Sequence, residues 1–272
     1  MPHKKQAKHL TVQNQLLDSK HPKWGHLVHL LQISLMDTIS LLQAWKKTGQ
    51  AETLHQARMA WRRQKSLLKF YKPLLPELPQ QSKSALQDLW HITGQLRNLD
   101  VALQSTLPAW RHDHPQVGPT EWPALLHRLH RDHLQTRQAL AQELADDQVT
   151  AGFQELTIWT QHLATVPLKF KRKPFEKWAK QRLHCLQRKI RTQRHPFTPE
   201  GQHQSRLLLK QKRHALESLL TIQPRKKLQT QLNRVRKKQA TWGHAQDMQV
   251  ALNLIEGSGL CPELTQAWRT SK

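Results

Sequence analysis

His55, Arg58, Arg62, Lys65, Lys69 and Lys72 recur at intervals of 3, 4, 3, 4 and 3. That spacing sets six cationic side chains on one face of a helix. A row of this kind suits one kind of chemistry, the neutralisation of an extended anion. Leu54, Ala57, Trp61, Leu68 and Tyr71 form a second stripe one residue behind, about 100° round the helix at 3.6 residues per turn. The cationic face therefore flanks the buried face and lines a groove between helices. His203, Arg206, Lys210 and Arg213 repeat the intervals 3, 4 and 3, with Leu209, Leu216 and Leu219 as apolar companions. A third basic face runs through Lys177, Lys180, His184, Arg188 and Arg191, and Arg234, Arg236, Lys237 and Lys238 form a fourth dense patch.

Solvated basic helices normally interleave Glu with Lys, so that pairs four residues apart support the helix. Residues 53–76 and 201–216 contain no Asp or Glu. Like charges at that spacing repel, so the stripes cost stability unless something anionic neutralises them. The whole chain agrees, with 43 Lys and Arg against 19 acidic residues and a net charge of +24 over 272 residues. Such a surface attracts polyanions, which leaves nucleic acid, anionic membrane and free polyphosphate to weigh. Trp61, Phe70 and Tyr71 lie off the stripe, and no helix-turn-helix, zinc-finger or single-strand stacking pattern is present. A linear polyphosphate carries no bases and needs only parallel rows of cations. Composition alone does not decide between these anions.

Other chemistry finds less support. His127, His130 and His133 turn progressively off one face, and His112 and His114 sit beside prolines without Cys or Glu partners, so no metal site is expected. Asp100 and Asp247 stand alone and read as helix caps or partners for Arg97 and its neighbours. Phosphoanhydride chemistry needs metal-holding carboxylates or a nucleophile beside a base, and neither pattern occurs; the expectation is a non-enzyme without cofactor. Gly94 and Gly243 read as backbone punctuation. Histidines beside a bound polyanion should gain protons, strengthening binding below neutrality. Two cysteines, Cys185 and Cys261, suit a reducing compartment. The basic N-terminus lacks the apolar core of a secretory signal. Leu27 to Trp45 is interrupted by His29, Gln32, Asp37 and Gln43, which suits an amphipathic helix better than a membrane span. A cytoplasmic protein without membrane contact is expected.

The elements that must position these residues follow from the prolines, which gather at 73–79, 108–123, 167–174 and 196–199, with Pro224 apart. Proline breaks helices, and between the clusters lie eight segments of helical period: 26–48, 51–72, 80–106, 121–147, 150–164, 175–194, 200–222 and 225–256. The class is all-α. The expected organisation is a basic tail at 1–24, a first half at 25–107, a linker at 108–123, a second half at 124–257 and a C-terminal tail at 258–272. His55, Arg58, Arg62 and Lys65 recur as His203, Arg206, Lys210 and Arg213 at a constant offset of 148, which points to two helical bundles related by duplication.

At these residues the chain resembles the CHAD domain (conserved histidine α-helical domain) family. LHQARMAWRRQKSLLKFY at 54–71, followed by KPLLP, is similar to the family's first signature helix, and GQLRNLDV at 94–101 to its glycine-containing turn. QHQSRLLLKQKRHALE at 202–217 is similar to the second signature, and GHAQDMQVAL at 243–252 to its closing turn. The resemblance implies two antiparallel four-helix bundles with pseudo-two-fold symmetry and a basic channel that binds inorganic polyphosphate. It carries binding roles to His55, Arg58, Arg62, Arg63, Lys65, Arg97, His203, Arg206, Lys210 and Arg213; Lys69, Lys72, Arg182 and Arg188 complete the candidate set. Asn98, His214 and Gln211 depart from the family pattern, at positions where it has Asp, Tyr and a basic residue. The E-x-E-x-K motif of the triphosphate tunnel enzymes often fused to this family is absent. General nucleic-acid binding, RNA above all, is the alternative on the same surface, and a scaffold targeted to polyphosphate granules is a third reading.

Overall fold

Leu, Gln, Ala, Arg and Lys dominate the segments between prolines, and their high helix propensity is expressed throughout. The structure, a computed structural model, describes residues 22–165, 172–192, 199–240 and 243–270. Among them every regular element is helical: α1 (Pro22–Thr48), α2 (Ala51–Tyr71), α3 (Gln80–Ala85), α4 (Gln87–Val101), α5 (Leu107–Asp113), α6 (Glu121–Glu143), α7 (Asp147–His162), α8 (Arg172–Arg191), α9 (Pro199–Ile222), α10 (Lys226–Ala240), α11 (Gly243–Ser258) and α12 (Pro262–Thr270). A short 3-10 turn, Lys72–Leu74, follows α2, and a π-helical stretch, Ala102–Thr106, joins α4 to α5.

The chain forms two compact units that interleave along the sequence. The first comprises residues 1–39, 59–79 and 155–240, and the second 40–58, 80–154 and 241–272. This differs from the sequential halves expected at 25–107 and 124–257, because α1, α2 and α7 each contribute residues to both units.

In the first unit, α1 offers Trp24, Leu27, Val28, Leu31 and Leu35 as one buried face. Trp24 Nε1 donates to the Leu163 carbonyl at 2.9 Å and Ser34 Oγ to the Ala60 carbonyl at 2.9 Å. By length and hydropathy, Lys23–Thr48 would also pass for a membrane-crossing helix. Its apolar stripe is spent on packing against neighbouring helices. The expected basic tail at 1–24 ends earlier, since α1 starts at Pro22; residues 1–21 lie outside the described part. Proline is tolerated there because the first helical position has no intrahelical use for its N–H.

The same property corrects two boundaries. Pro262 opens α12 and Pro108 lies in the first turn of α5. The stretch expected as a linker at 108–123 supplies Trp110 and Trp122 to the core of the second unit, and the expected tail at 258–272 supplies Leu264 and Trp268. Trp110 and Trp268 stack with centroids 4.5 Å apart, and Trp268 Nε1 donates to the Met248 carbonyl at 3.2 Å. The carboxylate of Glu121 accepts the Glu263 and Leu264 backbone N–H groups at 3.2 and 3.0 Å. It thereby serves donors that the first turn of α12 would otherwise leave without acceptors. Gly118, at φ +51, lies so near this junction that an added Cβ would sit 2.9 Å from Leu264 Cγ. The helix expected at 225–256 corresponds to α10 and α11, and residues 241–242 between them lie outside the described part.

The turn expected around Gly94 is instead the interior of α4. Glycine is used there for close approach, since a Cβ would meet the Arg58 guanidinium at 3.4 Å. Asp100 is neither a cap nor a partner of Arg97: it is buried on α4 and its Oδ1 lies 2.9 Å from His133 Nε2 on α6.

Candidate anion-binding site

In the second half of α2 the division of faces follows the spacing. Ala60, Leu67, Leu68 and Tyr71 are buried, while Arg62, Arg63, Lys65 and Lys69 are exposed, and Lys72 continues the row in the 3-10 turn. α9 lies deeper. Leu209, Ala215, Leu216 and Leu219 are buried together with Ser205, Gln211, His214 and Ser218. Arg206, Lys210 and Arg213 are half-buried, as long cationic side chains are when their stems pack and their heads stay wet. Gln211, which departs from the family pattern, is a buried residue. The side chain of His203 lies outside the described residues.

Within the first unit these two helices meet. The Tyr71 hydroxyl shares a buried hydrogen bond with Ser218 Oγ at 2.9 Å. Burial pushes the Tyr71 phenol far above its ordinary value, so it stays neutral. α8 closes on the end of α2. Trp178 stacks on Tyr71 with centroids 5.7 Å apart and meets Phe70 edge-on at 5.6 Å. Arg182 Nη2 donates to the Lys69 and Phe70 carbonyls at 3.4 and 3.3 Å, groups in the last turn of α2 that the helix itself cannot satisfy. Arg182 therefore holds the helix that carries the stripe. Arg188 stands exposed on α8.

Beneath the α9 stripe lies a network that the sequence reading missed. His214 Nδ1 is 3.1 Å from Glu217 Oε2, Arg236 Nη2 is 3.0 Å from Glu217 Oε1, and Arg213 Nε is 3.7 Å from the same oxygen. Burial pushes the Glu217 carboxyl up, but the hydrogen bonds from His214 and Arg236 and the adjacent positive charge outweigh it and hold it at about 2. Burial depresses the His214 imidazole; Glu217 opposes this, while Arg213 and Arg63 reinforce it. At neutral pH this leaves a neutral imidazole beside an ionised carboxylate. The signal was present in the sequence, since residues three and four apart face one another on a helix and Glu217 closes the acid-free run.

The second unit holds the remaining candidates. His55 and Arg97 are half-buried. Arg58 Nη1 donates to Thr93 Oγ1 at 2.8 Å, so this arginine braces α2 against α4. His127 and His130 are exposed while His133 is bound to Asp100. Among the described residues, no group of three or more His, Cys, Asp or Glu side chains is arranged to hold a metal ion.

A model of the CHAD domain family matches residues 34–256. The fold is similar to the crystal structure of the CHAD domain from the plant Ricinus communis, with a TM-score of 0.69 and 22% sequence identity over 90% of this chain and 83% of that one. No curated protein matches the sequence.

Proposed function

The chain belongs to the CHAD domain family, and from that premise we propose that it binds inorganic polyphosphate, without catalysis, along the cationic stripes of α2 and α9. One observation carries the reading. Arg62, Arg63, Lys65 and Lys69 project from a segment of α2 free of acidic residues, on a helix fastened to α9 by the Tyr71–Ser218 bond. These cations stand on packed helices, so little order has to be imposed when an anion arrives.

Each exposed contact is worth roughly 0–1 kcal/mol. Several contacts on one tethered anion combine through effective concentration, so affinity rises with chain length and falls steeply with salt. Off-stripe aromatics support an anion without bases: Phe70, Tyr71 and Trp178 are spent on one another. In this reading the protein is cytoplasmic, needs no cofactor and can accompany polyphosphate granules.

The test is a salt titration of binding to long-chain polyphosphate, with single-stranded RNA and double-stranded DNA as competitors. Binding that nucleic acid does not displace, and that an Arg62→Gln/Lys65→Gln/Lys69→Gln variant weakens while keeping its helical circular dichroism, upholds the proposal. Equal or tighter binding to RNA replaces it with general nucleic-acid binding.

A further inference from the structure

A groove of about 910 Å³ runs between α8 and α10 over α9, inside the first unit. Its floor is apolar and already covered: Phe175, Ala179 and Leu183 of α8, Leu209 and Leu219 of α9, and Val235 of α10 are all buried. Its walls are cationic and exposed, with Lys177, Lys180 and Arg191 on one side and Lys227, Arg234 and Lys238 on the other. Among the described lining residues the acid is Glu176. It is engaged by Lys23 at 3.1 Å, Gln223 at 2.8 Å and Arg225 at 3.0 Å, at the end of the groove away from Arg191 and Lys238.

Lys212 sits in this groove, only 7% exposed. Its ammonium donates to the neutral amide oxygen of Gln187, and among the described residues no carboxylate pairs with it. Burial first, and then the charges of Lys238 and Arg191, push it below its ordinary value. Lys212, Arg191 and Lys238 thus line one groove, and the buried ammonium among them faces a neutral amide in place of a carboxylate. Lys212 is not part of the Arg206–Lys210–Arg213 stripe: it stands with Leu209, Leu216 and Leu219, about 100° round α9 from Arg213. The groove and the stripe are different faces of one helix.

We infer that this groove is a second polyanion track, in which a linear phosphate chain lies between α8 and α10 with its charge concentrated at Lys212, Arg191 and Lys238. Because the floor is already buried, a docked amphipathic helix would remove little new apolar surface from water and would gain little from the hydrophobic effect. A thin anion gains more, since a cleft of one sign with low-dielectric walls focuses its field. From Lys177 to Arg191 the groove follows α8 for about 21 Å at 1.5 Å per residue, which favours an extended ligand over a compact one. The identity of the ligand rests on the polyphosphate reading; the location of the track does not.

Amine-reactive footprinting of the full chain, with and without long-chain polyphosphate, tests this in the native protein and in the Arg62→Gln/Lys65→Gln/Arg206→Gln variant. Modification of Lys180, Lys227 and Lys238 should slow by about tenfold in both proteins, the factor expected of one charge-assisted contact. Lys212→Met should abolish that protection while leaving protection of Lys65 and Lys69 intact. If Lys65 and Lys69 are protected in the native chain but the groove lysines are not, the second track is wrong and the polyphosphate reading stands. If the groove lysines alone are protected, the track is upheld and the stripe is displaced as the binding site. If no lysine is protected, both fail.

Discussion

Replacing Glu217 by Gln removes one negative charge from beneath the α9 stripe and keeps the shape of the side chain. In the native chain burial raises this carboxyl, but hydrogen bonds from His214 and Arg236 hold it at about 2 against an ordinary 4.5. The folded value is the lower of the two. The stability it contributes is therefore fully present above about 4.5 and is lost as pH falls towards about 2. At about 1.4 kcal/mol per tenfold change in proton affinity, the gap corresponds to about 3 kcal/mol at neutral pH, and partial solvent exposure of the carboxylate trims it to about 2. That is a large share of the roughly 5–15 kcal/mol that holds a typical domain folded. With a urea dependence of about 2–3 kcal/mol per molar, the midpoint at pH 7 should fall by about 1 M. The measurement is urea unfolding followed by circular dichroism, in native protein and Glu217→Gln, at pH 7 and at steps down to pH 2.5. The difference between the two proteins should close as pH falls below about 4.5, because other acids titrate alike in both. Equal midpoints at pH 7, or a difference that persists unchanged into acid, would refute the network as a source of stability.

Two further substitutions separate structural cations and tails from functional ones. Arg182→Lys loses the guanidinium Nη2 that serves the Lys69 and Phe70 carbonyls, and should cost about 1–3 kcal/mol, read as a lowered thermal midpoint. Polyphosphate affinity of the folded variant should stay within about twofold, since the charge remains and one exposed contact is worth at most about 1 kcal/mol; a steep loss of affinity with unchanged stability would return Arg182 to the binding set. Trp268→Ala empties a fully buried site stacked on Trp110, and should cost about 3–5 kcal/mol. A variant unfolding at the native midpoint in urea would mean that the C-terminal helix contributes nothing to the core.

Much of the helical pattern could be read from the chain, and two of the misreadings fall at prolines. A proline ends a helix when it falls in the interior, yet is comfortable in the first turn. Sequence spacing does not say which applies, so the proline-rich stretch at 108–123 reads as a linker, and nothing local marks Pro262 as the start of a helix. The structure makes Pro108 and Pro262 helix starts because Trp110, Trp122 and Trp268 have a common core to enter. Trp110 and Trp268 lie 158 residues apart, and no local rule joins them.

The candidate site divides in the same way. That Arg62, Lys65 and Lys69 share a face was determined by the sequence alone, because a helical period is a local property and these residues carry it within three turns. The large positive excess was determined with it, a charge that no packing can remove. Which cations remain available was decided by tertiary structure. Arg58 is spent on Thr93 and Arg182 on the end of α2, while Lys212, at a position that reads as core, lies in a cationic groove. The physical reason is range: the helical repeat acts over three or four residues, whereas the groups that engage Arg58 and Arg182 come from segments more than thirty residues away.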